Sequence, residues 1–189
     1  CVVLLIRPLN LRYIILLMIS YKCTGTTSLS VDDGIYKQFT SYLNSQTMKI
    51  VVIGGTGLIG SQLVKLLQKN QQNAIAASPN TGVNSITGQG LTEALANTNV
   101  LIDVSNSPSF ADEDVLNFFK TSTENLIAAA KKAGIKHIII LSVVGTQKLQ
   151  ESGYFRAKQV QEDLLQNSGI PFTIVHATQF FEFASGIAH

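Results

Sequence analysis

The chain has 189 residues, 46% of them hydrophobic and 14% charged, a balance that excludes a disordered chain and suits one folded domain with an appendage. The net charge of +2 comes from 14 basic against 12 acidic side chains and sits at one end. Arg7, Arg12, Lys22 and Lys37 outnumber Asp32 and Asp33 before residue 48, which leaves ten basic and ten acidic residues beyond it. A neutral domain without basic clusters lacks the electrostatic footprint of a nucleic-acid binder.

Residues 1–47 read as a leader of doubtful status: non-native, untranslated or targeting. Its apolar runs at residues 2–6 and 14–19 are broken by Arg7 and Arg12. Neither approaches the roughly 18–20 residues of a membrane helix, so no membrane partner is expected for residues 48–189. Met48 stands directly before the apolar run Ile50-Val51-Val52-Ile53 and reads as the natural start. Both cysteines, Cys1 and Cys23, precede it. A domain without thiols has neither disulfides nor thiolate metal sites and fits a reducing, cytoplasmic compartment. His137 and His176 are far apart, with no acids at ligand spacing, so no metal is expected.

From Met48 onward strand and helix signals alternate, the pattern of a parallel sheet covered on both faces. Residues 50–53 are continuously apolar, as befits a strand buried on both sides. A helix is predicted over Leu58–Lys69 from its apolar residues at 59, 63, 66 and 67. Further strands are predicted at residues 74–77, 100–104, 137–141 and 172–175, and helices over Asp112–Ala133 and 155–167. The long helix gathers Asp112, Glu113 and Asp114 at its start and Lys131 and Lys132 at its end, as its dipole favours, and Gly134 stops it. Right-handed crossovers make this an α/β fold, a doubly wound parallel sheet of Rossmann type. Asp103, inside an apolar strand, needs a hydrogen-bond partner near the strand end.

The first of these strands runs into Gly54-Gly55-Thr56-Gly57-Leu58-Ile59-Gly60 and then a helix. Strand, Gly-x-x-Gly-x-x-Gly, helix is a dinucleotide-binding arrangement. Gly54 permits the sharp turn, Gly57 lets backbone approach a pyrophosphate, and Gly60 allows helix to pack closely on strand. The helix start offers free N–H groups to the phosphates. No Asp or Glu lies between Gly60 and Glu93 to hold a ribose 2′-OH; the second strand ends instead at Ser78-Pro79-Asn80-Thr81. That favours NADP over NAD, although no Arg or Lys is there to meet a 2′-phosphate.

Tyr154 and Lys158 stand four apart, one turn along a helix face. An ammonium beside the phenol would lower the tyrosine pKa and suit it to exchange a proton with a carbonyl or alcohol. Ser142, at the carboxyl end of a strand, is placed to hydrogen-bond the same oxygen.

Residues 54–60, Leu141-Ser142-Val143-Val144-Gly145, Gly153-Tyr154-Phe155-Arg156-Ala157-Lys158 and Ala177-Thr178-Gln179-Phe180-Phe181-Glu182-Phe183 occur in this order. Together they resemble the atypical short-chain dehydrogenase/reductases, nearest the NmrA-like, NAD(P)H-binding subfamily, over residues 48 to about 183. The resemblance implies a cofactor at Gly54, Gly57 and Gly60, lined by Thr56, Leu58 and Ile59. Ser78 would sit by the adenosine ribose, Ser105 and Asn106 by the cofactor, and Lys158 on the nicotinamide ribose, with Tyr154 as acid/base. It implies an NAD(P)H-dependent oxidoreductase acting on a small carbonyl or alcohol. The other readings are a non-catalytic dinucleotide sensor that regulates a partner and an epimerase-like isomerase. Relatives often carry Arg at the place of His176, which puts a substrate or phosphate contact there in doubt. They also continue past the place of His189, so the domain reads as C-terminally truncated. Phe180, Phe181 and Phe183 suit core packing or a patch left bare by truncation, with the lining of a substrate pocket as the alternative.

Overall fold

The computed structural model describes residues 3–6 and 48–178. Continuous apolar runs give β2 (Lys49–Ile53), β4 (Val100–Asp103), β5 (His137–Val143) and β6 (Phe172–Ala177), with β3 (Asn73–Ala77) at one edge. All pair in parallel, in the order β6-β5-β4-β2-β3. β1 (Val3–Ile6) lies parallel along β6, Val3 opposite Ile174 and Ile6 opposite Ala177. The first apolar run of the segment read as a leader therefore adds an edge strand. Residues 7–47 and 179–189, with Phe180, Phe181 and Phe183, lie outside the described residues.

Successive strand residues point to opposite faces, and each face has its own core. Ile50, Val52, Ile102, Ile139 and Val175 meet α1 (Leu58–Lys69) through Ile59, Leu63, Val64 and Leu67. Val51, Ile53, Leu101, Ile138, Ile140 and Ile174 face α2 (Leu91–Leu95), α3 (Asp112–Ala133) and α4 (Gly153–Gln166) through Leu91, Leu95, Leu126, Ala130 and Leu165. Each large side chain buried in this way contributes roughly 1.5–3 kcal/mol. A doubly wound Rossmann sheet is thus the observed architecture. β5 and β6 each run two residues further than the sequence suggests, and α4 begins two residues earlier. The single 3-10 turn at Pro79–Thr81 and the five-residue α2 were not expected, being too short to show a period.

Counted from Lys49, the strand order is second, first, third, fourth, fifth, so the chain's path reverses between β2 and β4. In open sheets of this kind ligands lie beyond the carboxyl ends of the strands at that reversal. The glycine turn leaves β2 there, and Ser105 leaves β4 beside it.

Candidate functional site

Three of the turn's glycines are demanded by the fold. Gly54 has φ +75°, a left-handed conformation, and a Cβ on it would lie 2.9 Å from Ser105 Cα. At Gly55 a Cβ would meet Ala76 Cα at 2.7 Å, and at Gly60 it would meet the Gly54 carbonyl oxygen at 2.1 Å. Gly57 differs. Its φ of −74° and ψ of 178° are open to any residue, and among the described residues a Cβ there would meet only Gly54 O, at 3.2 Å. As the N-cap of α1 it has no side-chain oxygen for the orphan donors of the first turn. Among the described residues no acceptor reaches the N–H groups of Leu58, Ile59 and Gly60. Thr56, Gly57 and Leu58 are exposed. An open cradle beneath free amides at the positive end of a helix fits a pyrophosphate.

The neighbouring loops are pinned by side chains. The Thr56 hydroxyl donates to Ser78 Oγ at 2.8 Å, linking the turn to the end of β3. The Ser78 N–H donates to Thr81 Oγ1 at 2.9 Å. Across the crevice the Ser105 N–H and hydroxyl both donate to Asp103 Oδ1, at 2.9 and 2.6 Å, while Asn106 is exposed. Asp103 ends β4 with its partners in place, as its burial requires. Desolvation raises its carboxyl above the ordinary range in spite of the Ser105 bonds and the Lys158 charge.

Tyr154, Lys158 and Ser142 lie close in the fold but do not hydrogen-bond one another. Lys158 is 2% exposed. Its ammonium donates to Leu141 O at 2.8 Å and to Gln161 Oε1, and stands 4.3 Å from the centre of the Phe119 ring. Ser142 is also buried and donates to Glu162 Oε1 at 2.5 Å. The expected lowering of the tyrosine pKa is corrected here: burial raises the Tyr154 phenol, with no charged neighbour opposing it. The reason is directional. The lysine turns inward to Gln161, whereas the phenol ring edges onto Phe119 and Phe155 at 5.8 and 6.1 Å. Arg156 frames this corner from outside, donating to Gln150 O, Glu151 O and Asp112 Oδ2 at 2.7, 2.8 and 2.6 Å.

Gln161 and Glu162 escaped the sequence reading. The signal for them is a polar group on an inward stripe: residues 158, 161 and 162 share the face set by Ala157 and Leu165. Glu162 also receives His176 Nε2 at 3.0 Å, so that histidine faces the interior acid. Burial would raise Glu162, but the bonds from His176, Ser142 and Thr146 and the coulombic pull of His176 together hold the carboxyl below the usual value. His137 pairs with Thr173 Oγ1 at 2.8 Å, away from the site.

Burial lowers Lys158 from 10.5 to about 8, against the pull of Asp103 and Glu162. The unfolded chain then holds more protons than the folded one between those two values, so the Lys158 contribution makes stability rise with pH in that window. Urea midpoints at pH 7.5 and 9.5 should show this rise in the wild type and a smaller one in Lys158→Met. Equal slopes would show that the lysine is not desolvated.

The fold and turn define a Rossmann-type dinucleotide-binding domain. The sequence matches the NAD(P)H-binding family over residues 54–186, and the chain belongs to that family. It is 31% identical over 150 residues to the photosystem II assembly factor Ycf39 of Cyanophora paradoxa, covering 71% of this chain and 46% of that protein. It is 26% identical over 144 residues to the (4-alkanoyl-5-oxo-2,5-dihydrofuran-3-yl)methyl phosphate reductase of Streptomyces griseus, covering 69% of this chain and 48% of that one. The chain thus spans about half the length of these relatives. The Bordetella bronchiseptica enzyme WbmH in complex with NAD+ shares the fold, with a TM-score of 0.61 at 14% identity, over 70% of this chain and 57% of that one. No helix among the described residues is long and apolar enough to cross a membrane.

Proposed function

We propose that this chain is the dinucleotide-binding part of a cytoplasmic, NmrA-like, NADP-preferring oxidoreductase of the short-chain type, acting on a small carbonyl or alcohol. Gly57 carries the reading: it is a glycine the fold does not need, at the mouth of an uncapped helix. The N–H groups of Leu58, Ile59 and Gly60 hold the pyrophosphate, Thr56 and Ser78 meet the adenosine ribose, and Ser105 and Asn106 flank the cofactor. NAD(P)H supplies a hydride when bound. Tyr154, kept protonated by burial, donates a proton to the substrate oxygen. Lys158, its ammonium held by Leu141 O and Gln161, supports the site from beneath, and Ser142, its hydroxyl donating to Glu162, steadies the strand end. The missing carboxylate after β3 supports NADP.

Fluorescence titration of the chain with NADPH and NADH separately tests this. NADPH should bind at least about tenfold tighter, a difference of about 1.4 kcal/mol. Equal affinities would remove the NADP preference, and no binding of either would end the proposal. A second reading, a non-catalytic sensor that regulates a partner, is favoured by one observation: Lys158 and Ser142 both spend their hydrogen bonds inside the protein. The Ycf39 relatives, named as assembly factors, agree with it.

A further inference from the structure

A row of hydrogen-bonded side chains joins α4 to the wall of the glycine turn. Ser105, against which Gly54 packs, donates to Asp103 Oδ1. Asp103 Oδ2 accepts from Gln161 Nε2 at 3.0 Å, and Gln161 Oε1 accepts from Lys158. Gln161 is 1% exposed and Asp103 2%. Asp103 and Gln161 lie 58 residues apart in sequence.

We propose that Gln161 is a positioning residue, which fixes where the Lys158 ammonium stands by bridging it to Asp103 and so ties that lysine to the wall of the dinucleotide turn. A primary amide has the chemistry for this place, since its oxygen only accepts and its nitrogen only donates. The oxygen faces the cation and the NH2 faces the carboxylate. Reversing the amide would set donor against donor and acceptor against acceptor in a buried site, where each unmet polar group is costly. The two end charges therefore lock one orientation, and the amide in turn locks them. The other groups around Lys158 are accounted for. Glu162, on the same helix, is the second carboxylate that supports the charge. α3 offers the Phe119 ring and β5 the Leu141 carbonyl, neither of which titrates. Tyr154, one turn earlier on α4, meets Phe119 by its ring edge.

The inference rests on the proposed service of Lys158 to the dinucleotide site, but its test needs no dinucleotide. Gln161→Met keeps the length of the side chain and removes both the donor and the acceptor. Gln161→Glu keeps the shape and adds a carboxylate. Lysine side chains carrying 13C at Cε are titrated by NMR in the cofactor-free chain, with the Lys158 signal assigned by its loss in Lys158→Arg. The Lys158 midpoint should fall by about one pH unit in Gln161→Met and rise by about one in Gln161→Glu. The shifts are opposite in sign, so either variant decides if the other fails to fold. A Lys158 midpoint that stays at the wild-type value in a folded variant overturns the proposal. If the midpoints move as stated while the wild type binds neither NADPH nor NADH, Gln161 keeps its positioning role and the oxidoreductase reading fails.

Discussion

Gly60→Ala should pry α1 from its strand, whereas Gly57→Val should leave a folded chain that no longer grips a dinucleotide. The added methyl at position 60 would stand 2.1 Å from the Gly54 carbonyl oxygen, a backbone atom that cannot step aside. Relief requires moving the helix off its packing, and a loss on the order of 3 kcal/mol follows. Urea unfolding should show it as a lower midpoint at unchanged slope. At position 57 the only contact among the described residues is the same oxygen at 3.2 Å, on ordinary backbone angles. Trading glycine for valine at an N-cap should cost within about 1 kcal/mol. The valine side chain would fill the space over the Leu58, Ile59 and Gly60 amides. Each hydrogen bond to a charged group is worth about 1.5–3 kcal/mol, so NADPH affinity should fall about 100-fold. Wild-type affinity in Gly57→Val would remove the cradle from the argument.

Tyr154→Phe should cost about two to four orders of magnitude in kcat and leave NADPH affinity within about threefold. The ring contacts with Phe119 and Phe155 persist in the variant, so the loss is confined to the hydroxyl. Because burial holds the phenol above its normal pKa, the proposed oxidoreductase should work best in the reductive direction, with Tyr154 giving its proton, and activity should fade on the alkaline side. Stopped-flow NADPH oxidation with a panel of carbonyls is the measurement. Should neither the wild type nor the variant turn over, while both bind NADPH, the sensor reading takes its place.

The sheet and the glycine turn were legible in the sequence because local pattern dictates them. Val51 and Val52, apolar side by side, suit a strand with two covered faces, and glycine suits position 54, where the chain turns at φ +75° against Ser105. The chemistry around Tyr154 was only half legible. Spacing puts Tyr154 and Lys158 on neighbouring turns, but the direction of the lysine is decided by Gln161 and by the Leu141 carbonyl and Phe119 ring, the last two from other parts of the chain. The same holds for Ser142, whose partner Glu162 lies 20 residues on. Helical period marks which residues turn inward, not whom they meet. The short α2 and the Pro79–Thr81 turn stayed hidden because five and three residues are too few for a period.

The grip proposed for the turn uses main-chain amides: no charged residue occurs from Ile50 to Val64. Such a grip has dipoles but no net charge for counterions to shield, so its hold on an anion should weaken little between dilute and concentrated salt. Nor can lysine acetylation at the turn switch it off.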